Sequence, residues 1–260
     1  MADRGGLPRL LAQRWFAPTF GLATIVAVFA VVEALLRADL LNRYILPFPS
    51  DVVLALGRVV TEENILSRMG DTAFEVLASG VLVVLVGVPA GALFHRFPVI
   101  RAALETWVAA LAAAPVVLAF PLFLVLFGRG QKTIIVISFV YGVAPVLLKT
   151  LEGLSATRPV LINVGRSLNM TSSQMFWKIL FPSAIPSIFT GIRLSWTFCL
   201  VTVVAVEFLV NLGGLGQLIN DLAERYDLPG TYAGITFVIL LSVAFFIVLE
   251  RVENWLQPAP

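Results

Sequence analysis

Six apolar runs divide this chain, each on the order of the roughly 20 residues that an α-helix needs to cross a hydrocarbon core. They fall at Thr19 to about Leu36, Phe74 to about Phe94, about Ala102 to Phe127, Thr133 to about Leu148, Ile185 to about Val210 and about Thr231 to Leu249. Apolar residues make up 59% of the 260 and charged residues 13%, with a mean hydropathy of +0.94. A water-soluble domain of this size could not hide so much apolar surface, so the surrounding solvent must be lipid. The expected fold is an all-α membrane protein of about six transmembrane helices: residues 1–18 form an N-terminal segment and residues 19–260 a single transmembrane domain. The first apolar run lacks a small-residue cleavage site and is long enough to span, so it is expected to be a retained helix and not a signal peptide.

The same composition removes several function classes. One cysteine, Cys199, inside an apolar run excludes a disulfide framework and a cysteine-based metal site. The single histidine, His95, lies beside Arg96 at the end of a run and fits an interfacial residue better than a metal ligand, so no metal site is expected. A membrane-embedded enzyme needs clustered His, Asp or Glu, and the carboxylates here are scattered. The segment Gly128-Arg129-Gly130-Gln131-Lys132-Thr133 invites a phosphate-loop reading, but Gln131 separates Gly130 from Lys132 and both flanks are apolar helices. No nucleotide site or other cofactor is therefore expected in this chain. The net charge of +2 says little about partners, and nothing points to nucleic acid.

The most informative stretch is polar: Leu161 to Pro186, LINVGRSLNMTSSQMFWKILFPSAIP, set between two spans. Leu161, Ile162, Val164 and Leu168 make an apolar stripe at helical spacing, while Asn163, Arg166 and Ser167 stay polar. Asn169 is expected to break this helix, because its short side chain tolerates positive φ. Thr171 or Ser172 can cap a second helix through Gln174, Phe176 and Trp177, which Pro182 and Pro186 are expected to close. Two short helices with a turn between them form a knob that could dock in a partner's groove, or a helix pair lying on the membrane surface.

Within the spans, prolines and polar stripes mark candidate pathway positions. Pro115 and Pro121 interrupt the third run, either lining a pathway or making a packing kink. Ser138, Tyr141 and Pro145 fall on one face of the fourth run, and Ser195, Cys199 and Thr202 on one face of the fifth. Such stripes face a wet cavity or an ordinary helix contact. Glu207 is off the Ser195 stripe, near the outer end, and reads as a gate or packing carboxylate. Before the second span, Leu46-Pro47-Phe48-Pro49-Ser50-Asp51 runs into an expected N-cap and a short surface helix over Val52 to Val60.

Six spans return both termini to one side. With that side cytoplasmic, 11 of the 18 Lys and Arg fall on cytoplasmic segments or helix ends, and 10 of the 16 Asp and Glu fall outside. This bias places both termini and the polar loop in the cytoplasm.

Several of these segments resemble one family. Asn163-Val164-Gly165, three residues, Asn169, nine residues, then Ile179-Leu180-Phe181-Pro182 is similar to the cytoplasmic loop of ATP-binding-cassette importer permeases, with the pattern Glu-Ala-Ala, three residues, Gly, nine residues, Ile-x-Leu-Pro. Asn163 stands where that pattern has Glu, and Asn169 where it has Gly. The Leu46–Asp51 segment, the third run ending Phe127-Gly128-Arg129-Gly130, a Glu late in the fifth span and Asn211–Gly216 before Gln217-Leu218-Ile219 resemble the nitrate/sulfonate/taurine subfamily. The resemblance implies a type I importer permease fold with a coupling-helix loop at 155–183. It implies a non-catalytic, multi-pass subunit of the bacterial inner membrane that forms the pathway for a small solute, such as nitrate, a sulfonate, taurine or a related organic compound. The implied partners are two copies of an ATPase, which would bind ATP and Mg, a second permease copy completing a dimer, and a periplasmic or lipid-anchored binding protein. The implied docking residues are Ile162, Asn163, Val164, Gly165, Arg166, Leu168, Asn169 and Met170. A partner-free channel or secondary carrier is the alternative; it would need an ionisable relay at mid-membrane, which none of the six runs displays.

Overall fold

Backbone polar groups in lipid must be satisfied within their own segment, and the described residues answer mainly with helices. The computed structural model describes residues 16–256; the N-terminal segment expected over 1–18 lies outside the described residues up to residue 15. In order come α1 (Phe16–Arg37), α2 (Pro49–Glu62), α3 (Ile65–Arg96) and α4 (Pro98–Ala113). A 3₁₀ turn at Val116–Ala119 leads to α5 (Phe120–Phe127), α6 (Gln131–Ser155) and α7 (Pro159–Ser167). Then follow α8 (Ser172–Met175), a π turn at Phe176–Leu180, α9 (Phe181–Val210), α10 (Gly214–Glu224) and α11 (Leu228–Leu256). Among the described residues, five helices are long and apolar enough to cross a membrane, and α4 with α5 makes a sixth if the bent pair counts as one span.

The core is built where small residues let backbones close on one another. α3, α6 and α9 pack together, with Ile134, Ile137, Val76, Val203 and Val206 buried between them. A Cβ on Gly91 of α3 would fall 2.6 Å from the Leu147 carbonyl oxygen of α6, and one on Gly142 of α6 2.6 Å from Cys199 Sγ of α9. At the opposite end from α7, α2 and α10 lie against α11 through Ala55, Val59, Leu218, Leu222 and Ala233. Ion pairs Arg58–Asp227, Arg68–Asp221 and Arg225–Glu63 tie that cap together.

Four expectations need correction. The second span does not begin at Phe74: its helix starts at Ile65, because Arg68 and Asp71 find partners in Asp221 and Gln131 and need not stay in a loop. Neither Ser50 nor Asp51 caps α2. Phe48 holds the N-cap position with no side-chain bond, Pro49 takes the first turn, and the acceptor comes from α1, where Glu33 Oε2 receives the Ser50 amide at 3.1 Å and Glu33 Oε1 the Ser50 hydroxyl at 3.0 Å. The third run is not one rod; α4 and the segment after Pro115 meet at 89°. Pro115 has no amide to donate and Ala114 is extended, as a residue before proline prefers. Finally, Pro182 and Pro186 close nothing. Pro182 occupies the first turn of α9, where its missing N–H costs little, and Pro186 rides inside α9, so the helix runs from Ser172 to Val210 through the π turn.

Candidate functional site

The polar stretch forms an elbow between α6 and α9. Pro159 opens α7 at its first turn, and Asn169 at φ 50° ends it in the left-handed region. The Met170 amide reaches back to the Gly165 carbonyl at 3.0 Å and the Asn169 amide to Arg166 at 3.0 Å, the two bonds of a Schellman stop. Thr171 then starts the next helix with a reciprocal cap: its Oγ1 accepts the Gln174 amide at 3.3 Å, and Gln174 Oε1 accepts the Thr171 amide at 3.0 Å.

Gly165 joins the two arms. It is buried, and a Cβ there would lie 2.6 Å from Met175 Cε and 2.8 Å from Ile179 Cδ1. The elbow is rooted in the bundle by Thr157, whose hydroxyl donates to Leu154 and lies 2.9 Å from Ser183 Oγ, and by Gly153, where a Cβ would approach Ser187 Cβ at 2.7 Å. Ile162 and Met170 are half-buried. Asn163, Val164, Arg166, Leu168 and Asn169 are exposed, with Leu168 64% accessible. The outward face is thus an apolar ridge of Leu161, Val164 and Leu168 flanked by Asn163 and Arg166, and no described residue covers it.

The pathway candidates divide into two groups. Pro115 stands exposed in the 89° break, and Pro121 stands exposed just beyond it in the first turn of α5. Ser138, Ser195, Cys199 and Thr202 are fully buried in the α6–α9 seam, where Cys199 Sγ meets the Ser138 carbonyl at 3.5 Å and Tyr141 stacks on Phe198 at 4.7 Å. The hydroxyls of Ser138, Ser195 and Thr202 find no hydrogen-bond partner among the described residues. Two cavities, of about 620 and 140 Å³, are lined by none of the eight.

Glu207 is also buried, and it organises a junction of three helices. Its Oε1 accepts the Thr72 hydroxyl at 2.8 Å, its Oε2 accepts the Gly216 amide at 2.8 Å, and the Leu215 amide donates to Thr72 Oγ1 at 2.8 Å. The carboxylate therefore caps α10 from α9, with α3 supplying the third member. Beside it lies the carboxyl of Glu75, 1% exposed, with Oε2 unpartnered among the described residues. Glu75 and Thr72 escaped the sequence reading; their i, i+3 spacing on one helix face was the available signal. So two carboxyl groups do meet within the bundle, toward the end that carries α2 and α10 and not at its middle.

Comparison with known proteins agrees with this architecture. The family described as "Binding-protein-dependent transport system inner membrane component" matches residues 83–259. The taurine transport system permease protein TauC of Escherichia coli (strain K12) is 25% identical over 96% of this chain and 94% of its own. The formylaminopyrimidine transport permease protein ThiX of Halalkalibacterium halodurans is 23% identical over 83% of this chain and 86% of its own. The bicarbonate transport system permease protein CmpB of Synechocystis sp. is 31% identical over 55% of this chain and 52% of its own. In structure, the chain is similar to one from the inward-facing MetNI methionine ABC transporter, with a TM-score of 0.65 at 18% identity over 74% of this chain and 95% of that one. That likeness shows the fold, a type I importer permease. A non-catalytic, membrane-spanning permease subunit of an ABC importer, this chain belongs to the family of inner membrane components of binding-protein-dependent transport systems.

Proposed function

We propose that this permease couples to a separate ATPase through the elbow at 161–180 and carries a small solute bearing an acidic oxygen group, of the kind named for two of its relatives: taurine, a sulfonate, or bicarbonate. The observation that carries the reading is the uncovered ridge of Leu161, Val164 and Leu168 with Arg166 beside it, held on a doubly capped, Gly165-locked frame. An exposed apolar ridge on a rigid mount suits insertion into a partner's groove. α8, the π turn and α9 form one helix of 39 residues, about 58 Å long, so a displacement at the elbow reaches the far end of the bundle. The π turn at Phe176–Leu180 is where that rod yields.

In this reading the chain works as a dimer with two ATPase subunits, which hold the ATP and Mg, and receives solute from a periplasmic or lipid-anchored binding protein. Both termini and the elbow face the cytoplasm, as the excess of Lys and Arg on that side favours. The pathway runs past Pro115 and Pro121, while the buried Ser138, Ser195, Cys199, Thr202 and Glu207, with the half-buried Tyr141, form the packed wall behind it. ATP-driven closure of the partners biases one of two bundle arrangements. The test is Arg166→Glu, reconstituted with the ATPase and the binding protein. Continued ATP hydrolysis with solute uptake lost supports the proposal; unchanged coupled uptake removes it.

A further inference from the structure

The larger cavity, about 620 Å³, opens between the last turn of α3 and the second arm of the elbow, and the coupling assignment above places no ligand in it. Its apolar wall includes Leu93, Trp177 and Leu180, and its polar rim Arg96, Ser172 and Ser173. His95 shares the rim but leans away, with Nδ1 3.4 Å from Ser155 Oγ. The rim carries donors and no carboxylate. Neither the Arg96 guanidinium nor the hydroxyls of Ser172 and Ser173 have an ion-pair or hydrogen-bond partner among the described residues.

Depth narrows the choice of occupant. The apolar run of α3 ends at Phe94, immediately before His95 and Arg96, which sets this end of the helix at the membrane surface. Trp177, 62% exposed and in edge contact with Phe176, sits where an amphipathic ring is favoured, between acyl chains and headgroups. A groove at that level, greasy on one wall and cationic on its rim, matches a molecule with an acyl chain and an acidic headgroup. A soluble anion would leave the apolar wall uncovered, and an apolar protein segment would leave three donors unanswered.

We propose that this groove holds an anionic phospholipid, its phosphate on Arg96, Ser172 and Ser173 and the upper part of an acyl chain on Leu93, Trp177 and Leu180. The lipid bridges α3 and the elbow and so braces the docking knob against the bundle. That the lipid comes from the cytoplasmic leaflet rests on the cytoplasmic placement of the elbow given above; the binding itself does not.

The test uses the purified full-length chain in detergent, offered equimolar phosphatidylglycerol and phosphatidylethanolamine and read by native mass spectrometry. The expected result is preferential retention of phosphatidylglycerol, reduced about five-fold in Arg96→Gln and restored in Arg96→Lys, with phosphatidylethanolamine unchanged. Trp177→Ala should lower retention of both lipids. Equal retention of the two lipids, or no effect of Arg96→Gln in a variant whose circular dichroism matches the parent, overturns the proposal. Competition by millimolar inorganic phosphate as strong as by the lipid would show a soluble anion site instead. A photoreactive residue at Ala92 that captures a polypeptide and not a lipid would likewise refute it. These readouts involve neither ATP nor transport, so they stand or fall apart from the coupling assignment.

Discussion

Gly216 is where α10 rests directly on the backbone of α9, and Gly216→Ala puts a number on that closeness. An added Cβ would overlap the Val204 carbonyl oxygen and come 2.6 Å from Glu207 Cβ and 2.7 Å from the Phe208 amide nitrogen, two of these atoms being main chain that cannot swing aside. Reaching ordinary contact means backing α10 off by about 1 Å, which stretches the 2.8 Å bond from the Gly216 amide to Glu207 beyond about 3.5 Å, where it is lost. Overpacking costs about 1–3 kcal/mol and a buried bond to a charged group about 1.5–3, against about 1 regained from alanine's helix propensity. The net expectation is about 2–5 kcal/mol, a large part of a typical folding stability. Gly70→Ala is the matched control, because that position in α3 has nothing within 4 Å and should be neutral or gain up to about 1 kcal/mol. Reversible unfolding in mixed micelles, followed by tryptophan fluorescence, reads both. A Gly216→Ala variant within about 0.5 kcal/mol of the parent would refute the account of the α9–α10 junction.

Two further substitutions probe other joints. Asn169→Gly should hold the elbow turn, whereas Asn169→Val forces a β-branched residue to φ 50° and should cost about 1–2 kcal/mol locally; faster amide exchange across 165–175 in the valine variant alone is the expected sign. Arg58→Ala should lower stability by less than about 1 kcal/mol, with the difference fading in high salt, because the Arg58 side chain in its pair with Asp227 is 43% exposed. An unfolding titration at two ionic strengths would expose an error there.

Local chemistry explains which parts of the structure were legible beforehand. The turn at Asn169 and the cap at Thr171 depend on the residue itself and on partners three to five positions away, so a linear reading recovers them. The Gly91 and Gly142 contacts are half legible: glycine spacing marks a face, but the partner, Leu147 or Cys199, is set by the packing of three helices. What escaped needed a distant partner. Glu33 capping α2 lies 17 residues from Ser50, and Thr72 meets Glu207 across 135. Pro182 misled because a proline forbids a helix interior yet is welcome in a first turn, and the π turn before it decides which applies. The third run misled for the opposite reason: hydropathy reports that a segment is greasy and is blind to an 89° bend within it.

The central claim is that a separate ATP-hydrolysing protein grips the elbow ridge, and site-specific photocrosslinking in intact cells tests it most directly. A photoreactive residue at Leu168, 64% exposed on the ridge, is compared with one at Leu66, 80% exposed near the opposite end of the bundle. The account predicts an adduct at Leu168 whose partner binds and hydrolyses ATP, and no such adduct at Leu66. The same ATPase captured at Leu66, or no protein captured at Leu168 in cells that are importing solute, would contradict it.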